Sequence, residues 1–343
     1  MKRDLLVIKF GTASLTLPSG EPDISILQEI ARQVATLHKT HRVVIVSSGA
    51  VGAGKQYIKN YEGQIAQKKA AAAIGNPLLL KMYDTVFSAY GITVAQSLLE
   101  RQHFANRQQF LQLKETYEEL WRNNIIAIAN ENDVVSNREL KFSDNDELAT
   151  LIAGGFGARL MMLCTASGGL MNKEGHLLSA VEEINEEVLS YVSKTKTSLG
   201  SGGMSSKLTF THLAGKMGIK VVIFGMKEAD SILKAFNGAA GTTFTPQQKN
   251  LKARNKWLAS AGVSVGKIVV DEGAAAAVQD RKSLLAVGVK RYEGGFTRGE
   301  LVEIITESGE VIGVGKVRIS AAALAEETGR STIIIHTNDL VLL

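Results

Sequence analysis

The sequence predicts an α/β protein with a main body on a mostly parallel sheet, followed by a small β-rich domain. Three observations carry this expectation. Short apolar runs at Leu5, Arg42, Ile125 and Leu160 each end in a polar or glycine-rich loop, and helical patterns lie between them. That is the repeated βα order that produces parallel pairing. The run from Ile125 to Asp146 opens from a β-favouring segment into Asn130-Glu131-Asn132-Asp133 and then Asp144-Asn145-Asp146. It looks like the carboxyl mouth of a parallel sheet, where open α/β folds bind ligands. From Gly266 the composition changes to short β runs separated by glycine turns.

In chain order, Leu5-Leu6-Val7-Ile8 is a β run feeding Lys9-Phe10-Gly11-Thr12-Ala13-Ser14. A Gly/Ser/Thr turn with a lysine at its rim can cradle phosphate, although a surface lysine before a turn reads the same way. Ile24 to His38 places Leu27, Ile30, Ala31, Val34 and Leu37 on one helical face. Arg42 to Val46 is a second buried strand, opening into the small-residue loop Ser47 to Gly54. Such a loop lets backbone amides approach a ligand or serves tight helix–strand packing. Ala70 to Tyr90 reads as helix on either side of Gly75-Asn76-Pro77, Ile92 to Ala95 as a short strand, and Gln108 to Asn123 as a long helix.

Ser143 and Asp146 have capping-box spacing at the head of DELATLIAGGF. A cap alone would account for Asp144, but not for so many acidic and amide residues together. Leu160 to Thr165 is a further strand, leaving through Ala166-Ser167-Gly168-Gly169. Ser201-Gly202-Gly203-Met204-Ser205-Ser206-Lys207 then opens a helix continuing from Leu208 to Met217. Glycines, hydroxyls and a lysine at a helix start can form an anion site, although the Walker spacing is absent and a surface loop is the plain alternative. Val221 to Gly225 is a strand, and Gly241 to Pro246 closes the sheet domain. The expected boundaries are a first domain over residues 1–256, a linker over 257–265, and a β-rich domain over 266–343 with one helix at Ser320 to Glu327.

Composition narrows the function. At 343 residues, 45% hydrophobic and 21% charged, the chain is ordinary globular material with room for one large domain plus a small one, or two medium domains. No membrane span is expected: even Leu151 to Met171 contains Arg159 and five glycines. One cysteine, Cys164, excludes an internal disulfide framework and fits a reducing cytoplasm. Six histidines, none paired at i,i+4, make a zinc site unexpected. The net charge of +5 lies ahead of Gly266, because the remainder has nine Lys/Arg against eleven Asp/Glu. That favours an anionic small-molecule substrate in the main body over nucleic acid at the tail.

The motifs Val7-Ile8-Lys9-Phe10-Gly11-Thr12, Val46-Ser47-Ser48-Gly49-Ala50, Asn130-Glu131-Asn132-Asp133, Asp144-Asn145-Asp146 and Gly202-Gly203-Met204-Ser205-Ser206-Lys207 resemble those of the glutamate 5-kinases of the amino acid kinase family. The tail, with Val270-Asp271-Glu272-Gly273-Ala274 and Gly295-Phe296-Thr297-Arg298-Gly299-Glu300, resembles the PUA domain that many bacterial members carry. The resemblance implies an αβα sandwich around a mostly parallel sheet, the amino acid kinase fold, with a small PUA β-barrel. It implies ATP-dependent phosphorylation of the L-glutamate γ-carboxylate to glutamyl 5-phosphate, the entry step of proline biosynthesis. It further implies ATP with Mg2+, proline as feedback inhibitor, and a homo-oligomer.

By the same resemblance, Lys9 and Lys207 serve the phosphates, with Gly11, Gly49 and Ala50 giving close backbone approach. Asp146 organises the lysines. Ser48, Asp133 and Asn145 match glutamate-binding positions, Asp133 being suited to the substrate ammonium. Thr165, Ala166 and Ser201 to Lys207 match nucleotide-binding segments. Magnesium is expected on ATP oxygens and water, with no protein ligand. The chain departs from the family at Thr165-Ala166, where Thr-Asp is usual, and at Met171-Asn172-Lys173-Glu174, which replaces an Asp-Pro. These departures bear on nucleotide grip and base preference. A kinase for another acid and an RNA-binding protein with an inactive kinase-like body are the other readings. The PUA-like tail and Asn130 to Asp133 weigh against the first. The acidic tail and the retention of Lys9, Lys207 and Asp146 weigh against the second.

Overall fold

The structure is a computed structural model that describes residues 3–17, 19–135, 144–192, 203–246, 266–280 and 282–342. The chain divides into two compact units, residues 1–100 with 111–249 and residues 101–110 with 250–343. The first is built on eight strands: β1 (Leu5–Phe10), β2 (Arg42–Ser47), β3 (Val94–Leu99), β4 (Ile126–Glu131), β5 (Leu160–Cys164), β6 (Ala180–Val181), β7 (Lys220–Phe224) and β8 (Thr242–Phe244). Their order is β3-β4-β2-β1-β5-β7-β8-β6, and every neighbouring pair is parallel except β7 with β8. The sheet has β2 and then β4 on one side of β1 and β5 on the other. This reversal of strand order is where α/β sheets open a crevice.

Among the described residues the helices between the strands are α1 (Thr12–Leu15), α2 (Ile24–His38), α3 (Ala50–Gly54), α4 (Ile65–Ser88), α5 (Arg101–Ala105), α6 (Arg107–Arg122), α7 (Asn145–Phe156), α8 (Glu186–Ser190), α9 (Met204–Lys216) and α10 (Ser231–Phe236), with α5 and the start of α6 grouped with the second unit. Alternation along the strands sorts the two faces. Leu6, Ile8 and Phe10 of β1 pack with Val43, Ile45 and Met162 against Leu27, Ile30 and Val34 of α2 and Leu79 and Tyr83 of α4. Lys9, out of phase with these, belongs to the opposite face, where α7 lies against β1 and β5 and α9 against β7. The result is the three-layered αβα arrangement.

Two expectations are corrected here. Gly49 to Gly54 is mostly helix rather than loop, because Gly49, with φ +106°, turns the chain into α3. Gly75-Asn76-Pro77 does not divide its helix: α4 runs 24 residues with Pro77 inside. Proline removes one backbone hydrogen bond, at a cost of about 3 kcal/mol. Burial of Ala71, Ala72, Leu79, Tyr83 and Phe87 along the same helix offsets that. Gly75 is there for contact, since a Cβ on it would lie 1.7 Å from the Ala50 carbonyl oxygen.

The second unit carries β9 (Gly266–Val270), β10 (Leu284–Leu285), β11 (Val289–Glu293), β12 (Leu301–Thr306), β13 (Val311–Val317) and β14 (Ile333–Leu342), ordered β10-β14-β13-β12-β9-β11. Its core is Ile268, Val270, Phe296, Val302, Ile304 and Ile335. The expected helix is present as Ala321–Glu327, capped by Ser320. A second helix, Glu272–Gln279, was not expected from the sequence. Asp271 caps it, accepting from the Ala274 amide, and an alanine run carries it past Gly273. The expected linker, 257–265, lies outside the described residues.

Candidate active site

Three charged side chains from distant parts of the chain meet behind the carboxyl edge of the sheet. Lys9 Nζ lies 2.6 Å from Asp146 Oδ1, and Lys207 Nζ lies 2.9 Å from Asp146 Oδ2. All three are buried, with residue exposures of 4%, 5% and 0% for Lys9, Lys207 and Asp146. Strand phase aims Lys9 at the α7 face, the first turn of α7 supplies Asp146, and the first turn of α9 supplies Lys207. Burial pushes the Asp146 carboxyl up, but the two ammonium groups outweigh it and hold the carboxyl below the usual carboxylate range. With both lysines charged the cluster carries a net charge of one positive unit. Buried charge is costly unless compensated, so an incoming anion is attracted.

Around the cluster, polar groups fix the two helix starts. Asp144 caps α7, its Oδ1 accepting from the Asp146 amide at 2.8 Å and the Glu147 amide at 3.2 Å. Its Oδ2 accepts from the Ser206 hydroxyl on α9, so one carboxylate ties the starts of α7 and α9 together. The cap is therefore Asp144, while Ser143 of the expected capping box lies outside the described residues. Asn145 donates through Nδ2 to Ser48 Oγ at 2.8 Å and to Asn130 Oδ1 at 2.9 Å, and Asn130 donates to Asn76 Oδ1 at 3.1 Å.

Of the residues expected from sequence, Lys9, Asp146 and Lys207 form the cluster, and Ser48, Asn145 and Ser206 join the network around it. Gly11 opens α1, and a Cβ on it would be 3.7 Å from Lys9 Nζ. Gly49 and Ala50 follow Ser48 directly, the first with open space beside its Cα and the second buried. Asp133 is half-buried in the turn after β4. Gly203 caps α9 without a side-chain bond, and Met204 and Ser205 form its first residues. Thr165 and Ala166 leave β5 on a loop joined to β7, the Thr165 amide donating to the Phe224 carbonyl at 2.7 Å. Ala166 is exposed. Ser201 and Gly202 lie outside the described residues.

Sequence reasoning missed the working parts of Asp144 and Asn76. A cap alone accounts for Asp144 in the sequence, without its tie to Ser206, and Asn76 beside glycine and proline reads as part of a helix break. Among the described residues no group of three or more His, Cys, Asp or Glu side chains could hold a metal ion. Both Asp146 oxygens are engaged by lysines, so this carboxylate is poorly suited to bind a cation. No helix among the described residues is long and apolar enough to cross a membrane.

A parallel α/β sheet with buried lysines at its carboxyl edge suits a phosphotransferase. Residues 4–225 match the Amino acid kinase family and residues 266–337 the PUA domain, so the chain belongs to the amino acid kinase family and carries a PUA domain behind it. Its relatives narrow the class further. It is 37% identical over 338 residues to the glutamate 5-kinase of Oleidesulfovibrio alaskensis, covering 95% of this chain and 89% of the relative. It is 39% identical over 341 residues to that of Gloeobacter violaceus, covering 95% and 92%. A solved structure of Giardia carbamate kinase shares the fold, with a TM-score of 0.52 at 16% identity, covering 72% of this chain and 99% of that one.

Proposed function

We propose that this chain is a glutamate 5-kinase, which transfers the γ-phosphoryl group of ATP to the γ-carboxylate of L-glutamate. The products are glutamyl 5-phosphate and ADP, and the reaction opens proline biosynthesis. The observation carrying the proposal is the buried pair of lysines braced on Asp146, in a chain related over nearly its whole length to glutamate 5-kinases. A carboxylate nucleophile is already ionised at neutral pH, so no general base is required. The difficulty is to bring two anions together and to neutralise charge on the transferring group. Preorganised cations and amides do that without reorganising during the reaction.

In this reading Lys9 and Lys207 hold phosphate oxygens, and Asp146 keeps both ammonium groups in place rather than moving a proton. Ser48 and Asn145 orient the glutamate, with Asp133 taking its ammonium. Gly11, Gly49 and Ala50 offer backbone amides. Thr165, Ala166 and the segment Ser201 to Lys207 hold the nucleotide. With Ala166 exposed and without a hydrogen-bonding side chain, we expect base contact there to rest on Thr165 and the backbone. Magnesium carried on ATP would neutralise phosphate charge, needing no carboxylate from the described residues. A cytoplasmic homo-oligomer restrained by proline completes the reading, with domain boundaries placed near 256 and 266.

A hydroxamate assay with ATP and Mg2+ tests it. The expected result is signal with L-glutamate and little with L-aspartate or N-acetyl-L-glutamate. Signal only with another acid, or no acyl-phosphate from any, would overturn it.

A further inference from the structure

Three side-chain amides and a hydroxyl form a continuous relay from the middle of α4 to the candidate site: Asn76, Asn130, Asn145, Ser48. Asn76 is 5% exposed and lies 54 residues from Asn130 in sequence. Its helix is held close to α3, because Gly75 and Gly54 leave no room for a Cβ against the Ala50 and Ala71 carbonyls. Asn76 is therefore a fixed point close behind the Ser48-Gly49-Ala50 turn.

A side-chain amide has an acceptor end and a donor end, so a chain of amides has a direction. Here Asn76 presents its oxygen to Asn130 Nδ2, which leaves Asn130 Oδ1 to accept from Asn145 Nδ2. The two hydrogens of Asn145 Nδ2 are both used, on Asn130 and on Ser48. The Asn145 oxygen is buried with no hydrogen-bond partner among the described residues. At the opposite end, the Asn76 Nδ2 is also buried and without a hydrogen-bond partner among the described residues, beside a small gap bordered by Ser47 and Gln96. Reversing one amide would set two donors or two acceptors face to face, so the three reverse together or not at all. A buried bare acceptor is costly, and its natural partner is an N–H donor brought by a ligand.

We propose that Asn76 is a positioning residue: through Asn130 it holds Asn145 in place, so that the Asn145 oxygen shares with Asp133 the ammonium group of an amino-acid substrate. The inference rests on the reading of this site as one that binds L-glutamate. Asn76 does not touch the substrate; it acts through Asn130 and Asn145.

The test compares the full chain with Asn76→Leu, which removes the acceptor, and Asn76→Asp, which keeps one and cannot reverse. Steady-state kinetics with L-glutamate and with ATP are measured for all three, with thermal midpoints as the folding control. Asn76→Leu should raise the KM for glutamate about tenfold, the worth of one weakened hydrogen bond to the substrate. Its kcat and its KM for ATP should stay within about twofold, the pattern of lost ground-state binding. Asn76→Asp should recover most of the glutamate KM. A merely structural Asn76 would move kcat and both KM values together and would not be rescued by aspartate, and that overturns the inference. If Asn76→Leu does not fold, a glutamate KM for Asn76→Asp near the parent supports the relay, whereas one raised with an unchanged ATP KM refutes it. Absence of glutamate-dependent turnover in the parent protein would instead refute the function proposed above.

Discussion

Asp146 is fully buried and faces two ammonium groups, so its charge cannot be removed without exposing them to each other. Asp146→Asn should lower turnover on the order of 100-fold, as when a preorganised electrostatic group is lost. It should also cost roughly 3–5 kcal/mol in urea unfolding, the usual result of breaking a buried ion pair from one side. The pH dependence has a definite sign. The folded carboxyl lies below its ordinary value of 3.8. The stability it contributes is therefore complete above about pH 4 and is lost as pH falls through the folded value. Acid unfolding of the parent should steepen below about pH 4, and Asp146→Asn should lack that component. Asp133 offers a separate check on substrate binding. Asp133→Ala should raise the glutamate KM by about tenfold or more with the ATP KM little changed, as for a lost charged hydrogen bond; an unchanged glutamate KM would remove Asp133 from the site.

At the scale of elements, three helix starts determine where the site's side chains lie. Gly49 turns the chain left-handed into α3, Asp144 caps α7, and the same Asp144 holds α9 through Ser206. The α3–α4 contact supports the first of these from behind. Gly75→Ala would place a methyl group 1.7 Å from the Ala50 carbonyl oxygen, and backbone on both sides leaves nothing flexible to yield. We expect a loss of about 2 kcal/mol or more on denaturant unfolding, within the usual cost of overpacking, and a raised glutamate KM because Ser48 and Gly49 shift with α3. Gly91→Ala is the contrasting variant: its Cβ would meet nothing within 4 Å, and only its φ of +66° opposes the change. It should lose about 1–2 kcal/mol through backbone strain and leave the glutamate KM alone.

For the molecule as a whole, the sequence carried the strand order poorly and the strand ends well. The runs beginning at Leu5, Arg42 and Leu160 are legible because parallel strands buried on both faces are almost continuously apolar. The polar residues that follow them mark the carboxyl edge. Lys9 is legible only as a lysine at the rim of a Gly/Ser/Thr turn, where a surface lysine reads the same way, and nothing local names Asp146, 137 positions away. The part played by Asn76 was not legible at all. An asparagine beside glycine and proline reads as a helix break, and only the long-range contact with Asn130 gives it another use. The Glu272–Gln279 helix is hidden for a local reason, since Asp271-Glu272-Gly273 reads as a turn until the cap on the Ala274 amide is seen. Long-range pairing explains the losses at Asp146 and Asn76, and it also sets the decisive experiment. If Lys207 and Lys9 converge on Asp146 to stabilise a transferring phosphoryl group, Lys207→Ala should lower kcat by about 100- to 1,000-fold while the thermal midpoint moves by only a few degrees. Normal turnover in that variant, with a large loss of thermal stability, would contradict the account.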